Sequence, residues 1–174
     1  MDLPVDEAAH RVGVTPEDLS QALAQYVRSI LSGGSPYDRF VNGERTALSI
    51  EQQAGLQVFR GKGNCTACHV GPTFTDERAQ HTGVAWRDGQ LADPGAGAGT
   101  FKTPTLRDIA RSAPYMHDGS LSTLEEVIDF YDQGGRSNPT IDPEMHPLHL
   151  SAEEKATIIA FLKSLSGSIR EGQR

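Results

Sequence analysis

The stretch that decides the fold is Cys65-Thr66-Ala67-Cys68-His69, where two cysteines three positions apart are followed directly by a histidine. This CxxCH spacing is the attachment motif of a c-type haem, because its two thiols can bond the two vinyl groups of the porphyrin. The adjacent histidine then lies under the iron and can bind it through a ring nitrogen. The motif uses both cysteines of the chain, which argues against a chance occurrence.

The two cysteines have other interpretations. Zinc would require another soft ligand, and the chain has no third cysteine. A thioredoxin-like redox dithiol normally lies in a βαβ setting, which the sequence pattern lacks. A disulfide scaffold is excluded, because two cysteines this close cannot close a long loop.

The length of 174 residues fits one domain, or one domain with an extension. Only 37% of the residues are apolar, and 18 glycines and 10 prolines indicate many loops. A covalently bound haem would supply the missing core volume. The net charge of −7 argues against a nucleic-acid partner and favours a basic protein partner.

No segment of the sequence resembles a membrane span or a signal peptide. The longest strongly apolar run, residues 158–162, is far too short to cross a bilayer. The acidic N-terminus lacks the apolar stretch of a secretory signal.

Capping signals and apolar periodicity predict four helices, and no strand pattern is convincing, so the predicted fold is all-α. The predicted N-terminal capping residues are Thr15, Ser49, Ser122 and Ser151. The predicted apolar faces are Leu19, Leu23, Tyr26, Val27 and Ile30; Ile50, Ala54 and Val58 with Gly55 and Phe59 beside them; Leu124, Val127, Ile128 and Tyr131; and Ile158, Phe161, Leu162 and Leu165. Residues 35–47, 70–105 and 137–150 are predicted to be loops.

The motif leaves open which group binds the other face of the iron. Met116 lies in a loop downstream of His69, and a methionine ligand raises the reduction potential. Tyr131 competes from the inward-facing end of its helix, and an ordinary core tyrosine is the alternative interpretation. The remaining histidine candidates are His81, His117, His146 and His149.

Arg107 is a candidate for pairing with a haem propionate, because a guanidinium binds a carboxylate through two parallel hydrogen bonds. A solvated surface arginine is the alternative interpretation.

Four segments resemble the bacterial di-haem cytochrome c peroxidase and MauG family. They are residues 101–109 (FKTPTLRDI), 113–120 (APYMHDGS), 124–131 (LEEVIDFY) and, similar to the interdomain stretch of the family, 26–40 (YVRSILSGGSPYDRF). The resemblance covers residues 15–167 and points to the C-terminal haem domain. The helix with Gly55 and Phe59 before the CxxCH and the last helix with Phe161 resemble a class I cytochrome c domain. This second resemblance implies that the first and last helices cross closely at a glycine and that aromatic rings fill the contact.

The resemblance also implies roles for single residues. His69 and Tyr131 are the implied axial ligands of the iron, with Met116 as a neighbour in the turn that contains His117, Asp118 and Gly119. Met116 is the alternative distal ligand if the chain is a simple cytochrome. His117 matches a position near the haem and the domain interface. The carbonyl groups of Ser112 and Pro114 match positions that help bind a calcium ion between two domains.

The family carries two haem domains, each with a CxxCH, whereas this chain has one. We expect a lead-in helix and interdomain-type segment over residues 1–47, a cytochrome c-like haem domain over 48–168 and a tail over 169–174. The expected cofactor is one covalent haem c, with calcium as a further candidate.

The predicted function is electron transfer to or from a second haem in peroxide-dependent oxidation. The family resemblance implies that the chain is part of a peroxidase-type oxidoreductase. The alternatives are a stand-alone mono-haem peroxidase and a simple electron-carrier cytochrome with Met116 as ligand. Expected partners are a second haem domain and a small cytochrome or cupredoxin. Since haem attachment to CxxCH occurs outside the cytoplasm, we expect a periplasmic protein whose signal peptide lies outside this chain.

Overall fold

The computed structural model describes residues 13–170. Within this range the helices are α1 (Pro16–Ser29), α2 (Pro36–Val41), α3 (Ile50–Arg60), α4 (Leu124–Asp132) and α5 (Ala152–Lys163), with 3₁₀ turns at Cys65–Ala67 and Ile109–Arg111. The strands are β1 (Leu31–Gly33), β2 (Ala79–Gln80), β3 (Trp86–Arg87), β4 (Gln90–Leu91), β5 (Phe101–Lys102) and β6 (Ser168–Arg170). They form three antiparallel pairs, β1 with β6, β2 with β5 and β3 with β4.

The described residues divide into two compact units. The smaller unit contains α1 and the β1–β6 pair, with Ser32 opposite Ile169. The larger unit spans residues 34–167 and contains the other elements. The boundaries predicted at residues 47 and 168 stay a prediction.

Three of the four predicted helix starts are confirmed. Thr15, Ser49 and Ser151 each accept a hydrogen bond from the backbone N–H three residues later, at 3.1 Å in all three cases. The prediction of Ser122 is wrong by one residue, because Thr123 caps α4 and the Glu126 carboxylate accepts from the N–H of Thr123. Such interactions satisfy backbone donors that have no partner inside the helix.

The prediction of loops between the helices is wrong at two places. Helix α2 lies inside the predicted loop 35–47, and its signal was present in the sequence, because Ser35 and Asp38 form a capping box around Pro36. Four short strands lie inside the predicted loop 70–105. Strands of two residues carry no detectable alternation of apolar and polar positions, so the all-α prediction is confirmed only in its helices.

The crossing of α3 and α5 is the centre of the larger unit. A Cβ atom added to Gly55 would lie 1.9 Å from the backbone oxygen of Thr157, so the helix backbones nearly touch. The rings of Phe59 and Phe161 fill the contact with centroids 5.1 Å apart. The close crossing at a glycine, implied by the family resemblance, is therefore confirmed.

The rotation of α3 differs from the predicted apolar face. Ile50 is 87% exposed, whereas Gly55, Leu56 and Phe59 are buried. The close approach at Gly55 fixes which side of α3 faces α5, and this side is not the one that holds Ile50 and Ala54.

The predicted inner faces of the last two helices are confirmed. Leu124 and Ile128 of α4 are buried, and Val127 packs against the same core. The fully or nearly fully buried residues of the last face are Ile158, Phe161, Leu162 and Leu165. Among residues 13–170, no helix is both long enough and apolar enough to cross a membrane.

Candidate haem site

A cavity of about 580 Å³ opens beside the CxxCH segment within the larger unit. Its volume lies in the range of small-molecule and cofactor sites, roughly 300–1,000 Å³. Much of its wall is apolar, with contributions from Phe59, Leu106, Leu124, Ile128, Ile158 and Leu162. The site residues that the sequence predicts and that line it include Cys65, Cys68, His69, Arg107, Ser112, Pro114, Met116, His117 and Tyr131.

The 3₁₀ turn at Cys65–Ala67 presents the two thiols. The turn is closed by the N–H of His69, which donates to the carbonyl oxygen of Cys65 at 2.9 Å. Both cysteines are free, and burial raises the pKa of Cys65 to about 12. Burial, together with nearby carboxylates, raises the pKa of Cys68 to about 11. A redox-active dithiol requires a lowered thiol pKa, so these values argue against that interpretation.

The imidazole of His69 is fixed in one tautomer. Its Nδ1 lies 2.8 Å from the carbonyl oxygen of Phe74, and because a carbonyl only accepts, Nδ1 carries the hydrogen. Nε2 is therefore left with the lone pair that a metal ion needs. Burial also lowers the pKa of His69, which favours the neutral ring that binds metal.

Phe74 is held in place by the aromatic core. Its backbone has a φ of +54°, a left-handed conformation that is uncommon for a bulky residue. Its ring is 4% exposed and lies 5.1 Å from Tyr37, 6.0 Å from Phe59 and 6.2 Å from Phe161 between centroids. Packing thus determines where the carbonyl group that orients His69 lies.

The residues of the cavity fit a covalent haem. Two neutral thiols and a neutral imidazole with a free Nε2 line one largely apolar cavity, and this is the donor set that c-type haem attachment requires. Among residues 13–170, no cluster of three or more His, Cys, Asp or Glu side chains is placed to hold a metal ion directly.

The cavity receives both candidates for the distal ligand. Tyr131 enters it from the last turn of α4, where burial raises its pKa to about 12. Met116 enters from a tight turn, in which its backbone has a φ of +68°. His117 and His146 also line the cavity, whereas His81 and His149 are not among its lining residues.

Arg107 is bonded to protein groups. Its Nη1 donates to Asp38 Oδ1 at 2.7 Å and its Nε to the carbonyl oxygen of Pro72 at 2.8 Å. The guanidinium carbon lies 5.8 Å from the Tyr37 ring centroid and 5.4 Å from that of Phe74. The side chain of Arg107 is only 12% exposed, so Arg107 is not a solvated surface residue. Its pairing with a haem propionate stays a prediction. Sequence reasoning missed Asp38 because its contact with Arg107 is distant in sequence, and it missed Phe74 because rings from distant helices determine where its carbonyl group lies.

His117 lines the cavity together with Phe101. Its ring stacks on Phe101 with centroids 3.6 Å apart and an interplanar angle of 8°. Its Nε2 is 3.8 Å from Asp93 Oδ2. The carbonyl groups of Ser112 and Pro114 precede this turn, and their role in calcium binding stays a prediction.

Comparison with known proteins defines the class. Residues 52–166 match the family model of cytochrome c, and the chain belongs to the cytochrome c family. Membership of this family implies a covalently bound haem c, in agreement with the geometry of the CxxCH segment.

More specific relatives are peroxidases and MauG proteins. The chain is 39% identical to the methylamine utilization protein MauG of Methylorubrum extorquens, over 84% of this chain and 43% of the relative. It is 35% identical to the cytochrome-c peroxidase IdrP2 of Denitromonas iodatirespirans, over 83% and 47% of the two chains. A solved MauG-like protein associated with microbial copper homeostasis is 34% identical, with a TM-score of 0.68 over 77% of this chain and 52% of that chain.

These relatives confirm the resemblance to the peroxidase and MauG family. The chain spans about half the length of the curated relatives it matches.

Proposed function

We propose that this chain is a c-type haem electron-transfer domain, equivalent to the C-terminal half of a di-haem peroxidase or MauG-like oxidoreductase. The observation that carries the proposal is the gathering of both thiols, His69 and Tyr131 around one cavity. The similarity to peroxidases and MauG proteins over about half of their length supports the assignment to one haem domain. When bound, the haem supplies one-electron oxidation and reduction.

The residues of the chain anchor, orient and shield the cofactor. Cys65 and Cys68 anchor it covalently, and the hydrogen bond from Nδ1 to the Phe74 carbonyl directs Nε2 of His69 to the iron. The apolar wall excludes water, which stabilises the less charged redox states. Tyr131, which lines the same cavity, would hold the iron through its phenolate oxygen, and a tyrosinate would favour the oxidised state.

The domain exchanges electrons with other redox centres. Electrons pass to or from a second haem domain and a small cytochrome or cupredoxin, in the periplasm. The net charge of −7 favours a partner with a basic face. The chain would hold one haem, and the carbonyl groups of Ser112 and Pro114 would help to hold a calcium ion.

The experiment that tests the function uses the haem-loaded chain and hydrogen peroxide. We expect the ferric absorption and spin-resonance spectra to show six-coordinate iron that peroxide does not change, while a small cytochrome exchanges electrons with the chain. Peroxide turnover by the chain alone would contradict the proposal and would favour a stand-alone mono-haem peroxidase. Absence of covalent haem on a denaturing gel would exclude both functions.

The distal ligand is tested by two substitutions. Tyr131→Phe is expected to change the ferric spectrum strongly, because it removes the ligand oxygen but keeps the ring. Met116→Leu is expected to change it little and serves as the matched control, since Met116 lines the same cavity. The reverse pattern would favour the second candidate, a simple electron-carrier cytochrome with a methionine ligand.

A further inference from the structure

A lysine bridges two carboxylates where the C-terminal end of α4 meets α5. Lys155 Nζ lies 2.7 Å from Asp132 Oδ2 and 2.9 Å from Asp129 Oδ1. The side chain of Asp132 is only 14% exposed, and that of Lys155 is 27% exposed. Asp132 directly follows Tyr131 and is the last residue of α4.

All three charges of this bridge oppose the dipole of their own helix. Negative charge is unfavourable at a helix C-terminus and positive charge at a helix N-terminus. Asp129 and Asp132 lie in the C-terminal part of α4, which has no basic residue in its last turn. Lys155 lies near the N-terminus of α5 and directly follows Glu153 and Glu154 in the sequence. Each charge is thus poorly placed within its own helix and is compensated by an opposite charge across the helix pair.

Asp132 also fixes the end of the loop that leads into α5. Its Oδ1 accepts from the N–H of Leu150 at 2.8 Å, and its carbonyl oxygen accepts from the N–H of Leu148 at 3.0 Å. The last carbonyl groups of a helix otherwise lack partners, and the last turn frays readily. The end of α4 is therefore held by three groups that come from outside the helix.

We propose that Asp132 and Lys155 are positioning residues that hold Tyr131 at the cavity. The proposal rests on the proposed role of Tyr131 as distal ligand. Tyr131 lies in the last turn of α4, so a shift or fraying of that turn moves its side chain away from the cavity. The bridge stabilises the arrangement in which the tyrosine occupies its ligand position.

The test measures how easily an added ligand displaces the tyrosine. Cyanide binds ferric haem only when the distal position is open, so its observed dissociation constant falls as the open fraction rises. In the haem-loaded chain, Lys155→Met is expected to tighten cyanide binding roughly tenfold, by loss of the charge that compensates the helix terminus. Tyr131→Phe is expected to tighten it further, because the competing oxygen is then absent.

Two variants serve as controls. Lys62→Met removes the ion pair with Glu154, which has the same length of 2.7 Å and lies at the N-terminus of α5. It is expected to leave cyanide binding unchanged. Lys155→Arg keeps the charge and is expected to bind cyanide nearly as weakly as the unmodified chain.

A second substitution tests the other end of the bridge. Asp132→Asn loses the ion pair with Lys155, but it keeps an oxygen acceptor for Leu150 and removes an unfavourable negative charge from the helix C-terminus. It is therefore expected to tighten cyanide binding less than Lys155→Met does. Covalent haem content and far-ultraviolet circular dichroism establish that each variant is folded.

The outcomes separate this inference from the proposed function. Unchanged cyanide binding in both Lys155→Met and Asp132→Asn, with tightening in Tyr131→Phe, would overturn the positioning role alone. Unchanged binding in Tyr131→Phe would overturn the role of Tyr131 as ligand, and the positioning role with it.

Discussion

Replacing Gly55 by alanine is expected to destabilise the unit of residues 34–167 by about 3 kcal/mol, because the added methyl group overpacks the helix crossing. The new Cβ would lie 1.9 Å from the oxygen and 2.5 Å from the carbon of the Thr157 carbonyl group. It would also lie 2.9 Å from the Cβ of Phe161. These are atoms of a helix backbone and its first side-chain atom, so the helices must separate to make room.

The sign of this effect distinguishes packing from helix propensity. Alanine is favoured over glycine in a helix by about 1 kcal/mol, so propensity alone predicts that the substitution stabilises the chain. Denaturant unfolding of the haem-loaded chain, followed by far-ultraviolet circular dichroism, measures the difference. Ala54→Gly changes the neighbouring exposed position of α3 and is expected to cost only about 1 kcal/mol. An equally or more stable Gly55→Ala variant would show that α3 and α5 do not cross as closely as described.

Replacing Phe161 by alanine is expected to lower the free energy of unfolding by about 3–5 kcal/mol, because it leaves a cavity in the core. Phe161 is 0% exposed, and its ring lies 5.1 Å from Phe59, 5.8 Å from Tyr37 and 6.2 Å from Phe74 between centroids. Because the carbonyl group of Phe74 orients His69, the ferric spectrum is expected to change as well.

Leu165→Ala is the matched control for Phe161→Ala. Leu165 is also 0% exposed and lies outside the aromatic cluster. It is expected to destabilise the chain by about 2–5 kcal/mol without a change in the ferric spectrum. An unchanged spectrum in Phe161→Ala would contradict the link from the aromatic core through Phe74 to His69.

Helix starts were largely predictable because a capping box is a local structure. Ser49 and Ser151 each interact with a residue three positions later, and no distant contact is needed to form this pair. The same rule would have found α2 from Ser35 and Asp38. At α4, two adjacent hydroxyl residues, Ser122 and Thr123, each have a glutamate three positions later, and the structure selects the second pair.

The buried face of α3 was not predictable from periodicity. Ile50 is the kind of residue that usually lies inside, yet it is 87% exposed. The orientation of α3 depends on Gly55, the position at which α5 can approach most closely. Periodicity identifies which residues share a face, whereas the partner helix determines which face is covered.

The sequence by itself determined the anchoring chemistry of this protein. Cys65, Cys68 and His69 lie within five consecutive residues, so one short turn brings their side chains to the same place. Only the tertiary structure decided what holds this chemistry in position. The Phe74 carbonyl group accepts a hydrogen bond from His69, Asp38 forms an ion pair with Arg107, and Lys155 forms an ion pair with Asp132. The last two contacts join residues far apart in the chain, and the carbonyl of Phe74 is placed by rings from three separate helices. Such contacts depend on how the whole core packs around the crossing at Gly55, and no local pattern records that arrangement.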